Sequence, residues 1–208
     1  MAPRKRSFLI TGTGARVGKT TVGCALGFAM RARGLRVGVM KPIDSLESQD
    51  VDALALAVGS TIPPDVLCPY RRRSTPALAD AELAHIARCF SQIAAQNDVV
   101  LVESAGTIEA PITSDADFAD LAAMLSLEVI VVAGNRPGCA TALTLTQQRC
   151  ERSGLRVAGY ILCDCDSATP SADDTETSLK RIGTVPYLGR MRHREPLARA
   201  IVEQLVSR

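Results

Sequence analysis

Short apolar runs alternate with longer helical stretches along this chain of 208 residues. The runs that predict strands lie at 8–11, 36–40, 98–102, 128–133 and 156–163, with a weaker one at 183–188. The first four carry Val, Ile and Leu at consecutive positions, which is typical of strands covered by helices on both faces. The alternation predicts a single-domain, three-layer, doubly wound α/β fold around a mainly parallel sheet.

Helical stretches fill the intervals between these runs. Helices are predicted at 20–33, 50–58, 77–95, 118–125, 140–152 and 195–206. Gly34 and Gly154 follow two of them, in the position where glycine commonly ends a helix. The stretch 167–178 is rich in Ser, Thr, Asp and Ala without an apolar period, so it is predicted to be a mobile surface segment.

A glycine-rich segment directly follows the first predicted strand and leads into the first predicted helix. Backbone N–H groups in such a turn, together with the positive end of the helix dipole, bind anionic groups. Lys19 is placed to neutralise phosphate charge, and the hydroxyl of Thr20 is placed to ligate Mg²⁺. The loop is one residue longer than the common Gly-x4-Gly-Lys-Ser/Thr pattern when it is counted from Gly12 to Gly18. A fold of the P-loop NTPase type is therefore predicted, with a nucleoside triphosphate bound by Gly12, Thr13, Gly14, Ala15, Arg16, Val17, Gly18, Lys19, Thr20 and Thr21.

Two other predicted strands end in polar residues that a nucleotide site can use. Lys41 follows an apolar run and precedes Pro42, so its ammonium group is expected to project toward the phosphate loop. Glu103 ends the next run, where P-loop proteins commonly carry a carboxylate directed at Mg²⁺. Asp50 is interpreted as the cap of a predicted helix, which leaves Asp52 free to contribute to the site.

The charge balance and the cysteines restrict the class of partner. The chain has 24 Lys and Arg against 22 Asp and Glu, a formal net charge of +2, so it has no global field to attract nucleic acid or a membrane surface. Seven cysteines without regular spacing are predicted to be reduced core thiols. No apolar run approaches the ~20 residues of a membrane span. The sequence predicts a soluble, cytoplasmic protein with small-molecule partners.

Several short motifs occur in the order and spacing of one family. They are Thr-Gly-Thr-x-x-x-Val-Gly-Lys-Thr at 11–20, Lys-Pro at 41–42, Asp-Ala-Leu-Ala-Leu at 52–56, Pro-Tyr at 69–70, Val-Leu-Val-Glu at 100–103, Gly-Cys at 138–139 and Leu-Arg-Val-Ala-Gly at 155–159. Together they resemble the dethiobiotin synthetase family over nearly the whole chain. This resemblance is more specific than the phosphate loop alone.

The resemblance implies a homodimer that uses ATP and Mg²⁺ to close the ureido ring of dethiobiotin from 7,8-diaminononanoate and CO₂. The implied chemistry is phosphoryl transfer to a carbamate, which is catalysed mainly by electrostatic stabilisation of the transition state. By matching position, Lys19 holds the β- and γ-phosphates and Lys41 bridges the carbamate and the moving phosphoryl group, while Thr20, Asp52 and Glu103 hold Mg²⁺. The resemblance also implies an adenine contact at Cys163, substrate contacts at Ser45 and Thr75, and partner-subunit contacts to the substrate carboxylate at Gly138 and Cys139.

Some departures from the family pattern fall inside the expected site. The run 14–16 reads Gly-Ala-Arg where the family usually has Asp-Thr-Glu, so Arg16 reverses a charge. Ser104 and Thr107 stand where the family has glycine, which removes backbone freedom. Cys163 replaces an adenine-reading Asn and is a poor hydrogen-bond partner for a purine, which suggests relaxed base choice as a hypothesis.

Two other functions remain open at this point. A divergent paralogue would keep ATP and Mg²⁺ and ligate a different amine or acid, which the replaced loop residues favour. A nucleotide-switched ATPase of the partition or septum-site type has a similar loop. Such proteins carry a second lysine near the beginning of that loop, whereas positions 11–15 hold none.

Overall fold

The computed structural model describes residues 5–72, 80–164, 172–182, 184–192 and 199–206. Within these residues the strands are β1 (Arg6–Gly12), β2 (Val37–Met40), β3 (Ile43–Ser45), β4 (Tyr70–Arg72), β5 (Val99–Glu103), β6 (Glu128–Gly134), β7 (Val157–Cys163) and β8 (Tyr187–Met191). Six of them form the central sheet in the order β2-β5-β1-β6-β7-β8. Every neighbouring pair in this sheet is parallel.

Helices connect these strands. They are α1 (Lys19–Arg31), α2 (Asp50–Val58), α3 (Pro64–Leu67), α4 (Asp80–Gln96), α5 (Phe118–Met124), α6 (Cys139–Arg152), α7 (Ala172–Ile182) and α8 (Arg199–Val206). The α/β class with a mainly parallel central sheet is confirmed. No helix in the described ranges combines the length and the apolarity that crossing a membrane requires.

The apolar runs form buried strands of the sheet, as predicted. Leu9, Val102 and Val131 on three adjacent strands are completely buried, because helices cover the sheet and leave no face for polar side chains. The five strong strand predictions agree with the observed strands to within two residues at each end, whereas the weak sixth strand begins at Tyr187 and not at 183. The described cysteines form no disulfide, and all except Cys24 are buried.

Two elements differ from the sequence prediction. The three-residue strands β3 and β4 pair in parallel as a separate small sheet, and runs this short carry no readable period. Helix α7 covers residues 172–178 of the predicted mobile segment, which is a correction. Leu179 anchors this helix in the core, and Lys180 pairs with Glu176 and lies over the ring of Tyr187. Residues 165–171 lie outside the described residues.

Glycines on α1 allow α2 to approach closely. A Cβ at Gly27 would lie 2.6 Å from Cγ1 of Val58, and a Cβ at Gly23 would lie 2.8 Å from Cδ2 of Leu54. Distances below 3.0 Å require something to shift. This packing fixes α2 against the helix that follows the phosphate loop.

We expect Gly27→Ala to lower the free energy of unfolding by about 1 kcal/mol, because overpacking against the stiff Val58 side chain outweighs the gain in helix propensity. In a Val58→Ala background the clash is removed, so the same substitution should become neutral or stabilising. Urea unfolding of the two single variants and the double variant measures the coupling. A stabilising Gly27→Ala in the otherwise unchanged chain would contradict the close-packing argument.

Candidate active site

The carboxyl ends of β1, β2 and β5 meet at one edge of the sheet, where ligands bind in open parallel sheets. In the sheet register Ile10 pairs with Glu103, and Met40 pairs with Val102. Lys41 follows Met40 and therefore lies beside Glu103, with its Nζ atom 2.9 Å from Glu103 Oε1. Parallel strand pairing thus brings together a lysine and a glutamate that are far apart in sequence.

The phosphate loop between β1 and α1 has a left-handed backbone at Arg16 (φ 52°) and at Gly18 (φ 92°). A Cβ at Gly18 would lie only 2.5 Å from Sγ of Cys163, so both the backbone and the available space require glycine there. The side chain of Lys19 folds back over the loop, with Nζ 3.5 Å from the carbonyl oxygen of Gly14. The loop and its lysine enclose a concave space that suits an anion.

A connected cluster of polar side chains adjoins this loop. Thr20 donates its hydroxyl hydrogen to Glu103 Oε1 at 2.8 Å, and Lys41 donates to Glu103 and Asp50. Burial alone would lower the pKa of Lys41, but the charge of Glu103 and the hydrogen bonds to both carboxylates hold this pKa above its ordinary value. Lys41 is therefore a fixed positive charge at neutral pH.

At Glu103 and Lys19, in contrast to Lys41, burial determines the direction of the net pKa shift. It raises the pKa of Glu103, and the charge and hydrogen bond of Lys41 limit this rise. Burial lowers the pKa of Lys19, and the charge of Glu103 opposes that change. A bound phosphate would supply Lys19 with a second negative charge and would stabilise its ammonium form.

Asp52 does not lie in this cluster, which corrects its predicted place beside Thr20. Its side chain is 58% exposed and pairs with Arg71, with Oδ1 and Nη2 2.9 Å apart. Asp50 takes that place instead and contacts both Lys41 and Thr20. The physical reason is helical geometry, because residues two apart on an α-helix point in nearly opposite directions.

The spacing of the apolar residues in α2 shows which of the two aspartates lies nearer to the buried side of the helix. The buried residues of α2 are Val51, Leu54 and Val58. With 3.6 residues per turn, Asp50 lies nearer to this buried stripe than Asp52 does. The interpretation of Asp50 as the helix cap is also wrong, since the N-cap residue is Gln49.

A cavity of about 650 Å³ joins the phosphate loop to the cluster. Its lining residues include Lys19, Thr20, Thr21, Lys41, Asp50, Glu103, Cys163, Asp164 and Met191. Asp164 is held in the wall by Arg190, whose Nη2 atom is 2.7 Å from Oδ2, and by Asn135, which donates to Oδ1 at 2.8 Å. Cys163 also lines this cavity. The nucleobase contact that the resemblance implies for it stays a prediction.

The other residues predicted to bind substrate lie elsewhere. Gly138 and Cys139 begin α6 and line a separate cavity of about 220 Å³ together with the loop residues Thr13 and Gly14. Ser45 is exposed on β3 and does not line the larger cavity. Thr75 lies outside the described residues.

Sequence reasoning missed Arg136, which holds the phosphate loop from outside. Its guanidinium group donates to the carbonyl oxygens of Ala15, at 3.4 Å, and Arg16, at 2.9 Å. These carbonyls flank the left-handed backbone at Arg16, a conformation that costs a non-glycine residue roughly 1–2 kcal/mol. Arg136 lies two residues after the end of β6, at the loop edge of the sheet, and this position is the signal that could have found it.

The glycine-rich loop is followed by a helix that begins at Lys19, and a carboxylate lies on the neighbouring parallel strand. This combination defines a P-loop nucleotide-binding protein. Residues 6–200 match a family described as an AAA domain. A relative from Anaeromyxobacter dehalogenans (strain 2CP-C), named ATP-dependent dethiobiotin synthetase BioD, is 37% identical over 93% of this chain and 88% of its own. One of the same name from Xanthomonas axonopodis pv. citri (strain 306) is 36% identical over 89% and 90%. The chain belongs to the family of ATP-dependent dethiobiotin synthetases.

Solved structures of other proteins share the fold. A plasmid partition protein from Borrelia burgdorferi bound to AMPPNP has a TM-score of 0.62 at 11% identity, and the match covers 98% of this chain and 99% of that one. The cell division protein FtsY from Thermotoga maritima has a TM-score of 0.59 at 17% identity, covering 100% and 70%. At these identities the likeness shows the fold alone.

We expect Arg136→Ala to weaken the binding of a non-hydrolysable ATP analogue by about three- to tenfold, since two surface hydrogen bonds that fix the loop are lost. Adding Arg16→Gly should recover part of the affinity, because glycine adopts the left-handed conformation without strain. Isothermal titration calorimetry measures both effects. The control is Arg152→Ala, an exposed position at the end of helix α6. Unchanged affinity of Arg136→Ala would show that the loop does not need this support.

Proposed function

We propose that this protein closes the ureido ring of dethiobiotin from 7,8-diaminononanoate and CO₂ at the expense of ATP. The observation that carries the proposal is the meeting of Lys19, Lys41 and Glu103 around one cavity beside the phosphate loop. Membership of the dethiobiotin synthetase family supports the choice of substrate. Two buried ammonium groups suit a reaction in which negative charge moves between phosphate and carbamate oxygens.

In the proposed reaction a carbamate oxygen of the diamine attacks the γ-phosphorus, and ADP leaves. The second amine then attacks the carbonyl carbon of the mixed anhydride, loses a proton as the ring closes, and releases phosphate. Lys19 holds the β- and γ-phosphates, and Lys41 lies between the carbamate and the moving phosphoryl group. The raised pKa of Lys41 makes it an electrostatic stabiliser and not a base.

The residues around Glu103 fit a Mg²⁺ ion. Its Oε2 atom is buried and has no hydrogen-bond partner, and Mg²⁺ prefers a small number of carboxylate and hydroxyl oxygens together with phosphate and water. We assign the ion to Thr20, Glu103 and Asp50, with Asp50 in place of Asp52 because only Asp50 faces the cluster. When bound, the ion would neutralise charge on the phosphates.

The proposal includes a cytoplasmic homodimer. In such a dimer the substrate carboxylate would be bound at the amino terminus of α6 of the partner subunit. The small cavity beside Gly138 and Cys139 supports an anion site at this end of the helix, where backbone N–H groups and the helix dipole favour negative charge. Arg16 is exposed on the phosphate loop and adds positive charge to the wall of the larger cavity.

The proposal is tested by incubating the protein with diaminononanoate, bicarbonate, Mg²⁺ and ATP. Dethiobiotin and an equal amount of phosphate are expected.

We expect Lys41→Met to lower kcat by at least ~100-fold, the usual cost of removing one group that stabilises transition-state charge. Lys180→Met, an exposed position on α7, is the control. Full activity of Lys41→Met would contradict the assigned mechanism, and ATP binding without any dethiobiotin would favour a paralogue with another substrate.

The assignment of Asp50 to the metal gives a separate expectation. Asp50→Asn should raise the Mg²⁺ concentration needed for half-maximal turnover by about tenfold or more, because a charged ligand becomes neutral. Asp52→Asn should leave this concentration unchanged, since Asp52 faces solvent and Arg71. Mg²⁺ titrations at saturating ATP compare the two variants on the same helix. Equal effects would disprove the distinction between them.

A further inference from the structure

Asp44 is a third carboxylate beside Lys41, and the proposed reaction does not use it. Its side chain is 5% exposed, and its Oδ1 atom lies 3.4 Å from Nζ of Lys41. The same oxygen accepts a hydrogen bond from the backbone N–H of Ser45 at 3.0 Å. Its Oδ2 atom is buried without a hydrogen-bond partner. A buried carboxylate with one unpartnered oxygen is costly, so its position next to Lys41 requires an explanation.

The three carboxylates around Lys41 differ in what else they face. Glu103 and Asp50 line the nucleotide cavity and are the proposed Mg²⁺ ligands, whereas Asp44 does not line this cavity. A metal ion bound by Glu103 and Asp50 would repel the ammonium group of Lys41, and this repulsion offsets the attraction of the two carboxylates. Asp44 is not a proposed metal ligand, so its negative charge acts on Lys41 both with and without the metal ion.

The backbone around Asp44 makes it a rigid support. Strand β3 pairs with β4, and the register places Asp44 opposite Arg71. Pro42, between Lys41 and β3, restricts the chain further because its ring fixes φ. The carboxylate of Asp44 therefore stands on a strand of the small sheet, and not on α2 or on the phosphate loop.

We infer that Asp44 is the positioning residue of Lys41, which keeps the ammonium group in place when Glu103 and Asp50 turn to the metal ion. This inference rests on the proposed role of Lys41 in phosphoryl transfer. It adds a carboxylate whose function is to hold a catalytic cation and not to bind metal or substrate. The alternative is a merely structural role in the small sheet of β3 and β4.

Asp44→Asn separates these two roles, because it keeps the shape of the side chain and an acceptor for the Ser45 N–H and removes only the negative charge. The first measurement is the rate at which acetic anhydride labels Lys41 in the complete protein, followed by mass spectrometry with and without Mg²⁺ and ADP. With both present, we expect Lys41 to be labelled at least ~3 times faster in the variant than in the wild type, since an amino group that Asp44 no longer holds in place reaches the reagent more often. Without them the difference should be smaller, because Glu103 and Asp50 still hold the lysine.

The second measurement is turnover. We expect kcat of Asp44→Asn to fall about tenfold while KM for ATP stays within about twofold, the pattern of a lost transition-state interaction. Asp65→Asn, an exposed carboxylate on α3, is the matched control and should behave as the wild type in both measurements.

Equal labelling of Lys41 in the variant and the wild type with Mg²⁺ and ADP would overturn the inference. So would a lower melting temperature with unchanged kcat, which is the result a structural role gives. Labelling does not depend on turnover, so it also decides the matter in a protein that makes no dethiobiotin. Failure of the proposed function shows as missing product in the wild type, and failure of this inference shows as equal labelling.

Discussion

The buried ion pair between Lys41 and Glu103 is the interaction on which the site depends. Taking two charges out of water costs several kcal/mol for each ion, and only close pairing with further hydrogen bonds offsets this cost. The pairing exists because β5 lies between β2 and β1 in the sheet. Glu103 therefore reaches Lys41 on one side and, through Thr20, the phosphate loop on the other. Removal of Lys41 leaves the carboxylates of Glu103 and Asp44 buried without the ammonium group that they contact, so the charge of the site and its folding are coupled.

Much of this arrangement follows from the sequence, because it depends on local patterns. Consecutive apolar residues identify strands that are covered on both faces, and a parallel sheet collects the residues that follow those strands at a single edge. Lys41 and Glu103 each follow such a run, so their proximity is predictable without knowledge of any side-chain contact. The loop that contains Lys19 is recognisable for the same reason, since its glycines and its lysine are adjacent in sequence.

For the residues that the sequence analysis missed, the position along the chain is not enough, because the role of each depends on the direction in which its side chain points. Asp50 and Asp52 are both acidic and both lie in the first turn of α2, and only the helical phase separates them. Asp44 lies on a strand of three residues, too short to show which side is buried. Arg136 acts on backbone carbonyls, and such contacts leave no pattern in side-chain chemistry. In each case tertiary packing decides which way the side chain points.

Gly18 and Cys163 are in contact in the wall of the nucleotide cavity, and a Cβ at position 18 would not fit between them. One belongs to the loop expected to hold the phosphates and the other to the strand end expected to face the base. The residues expected at the two ends of a bound nucleotide would therefore be in contact with each other. The volume of residue 163 is consequently limited by the phosphate loop, and a larger side chain there requires the loop to move.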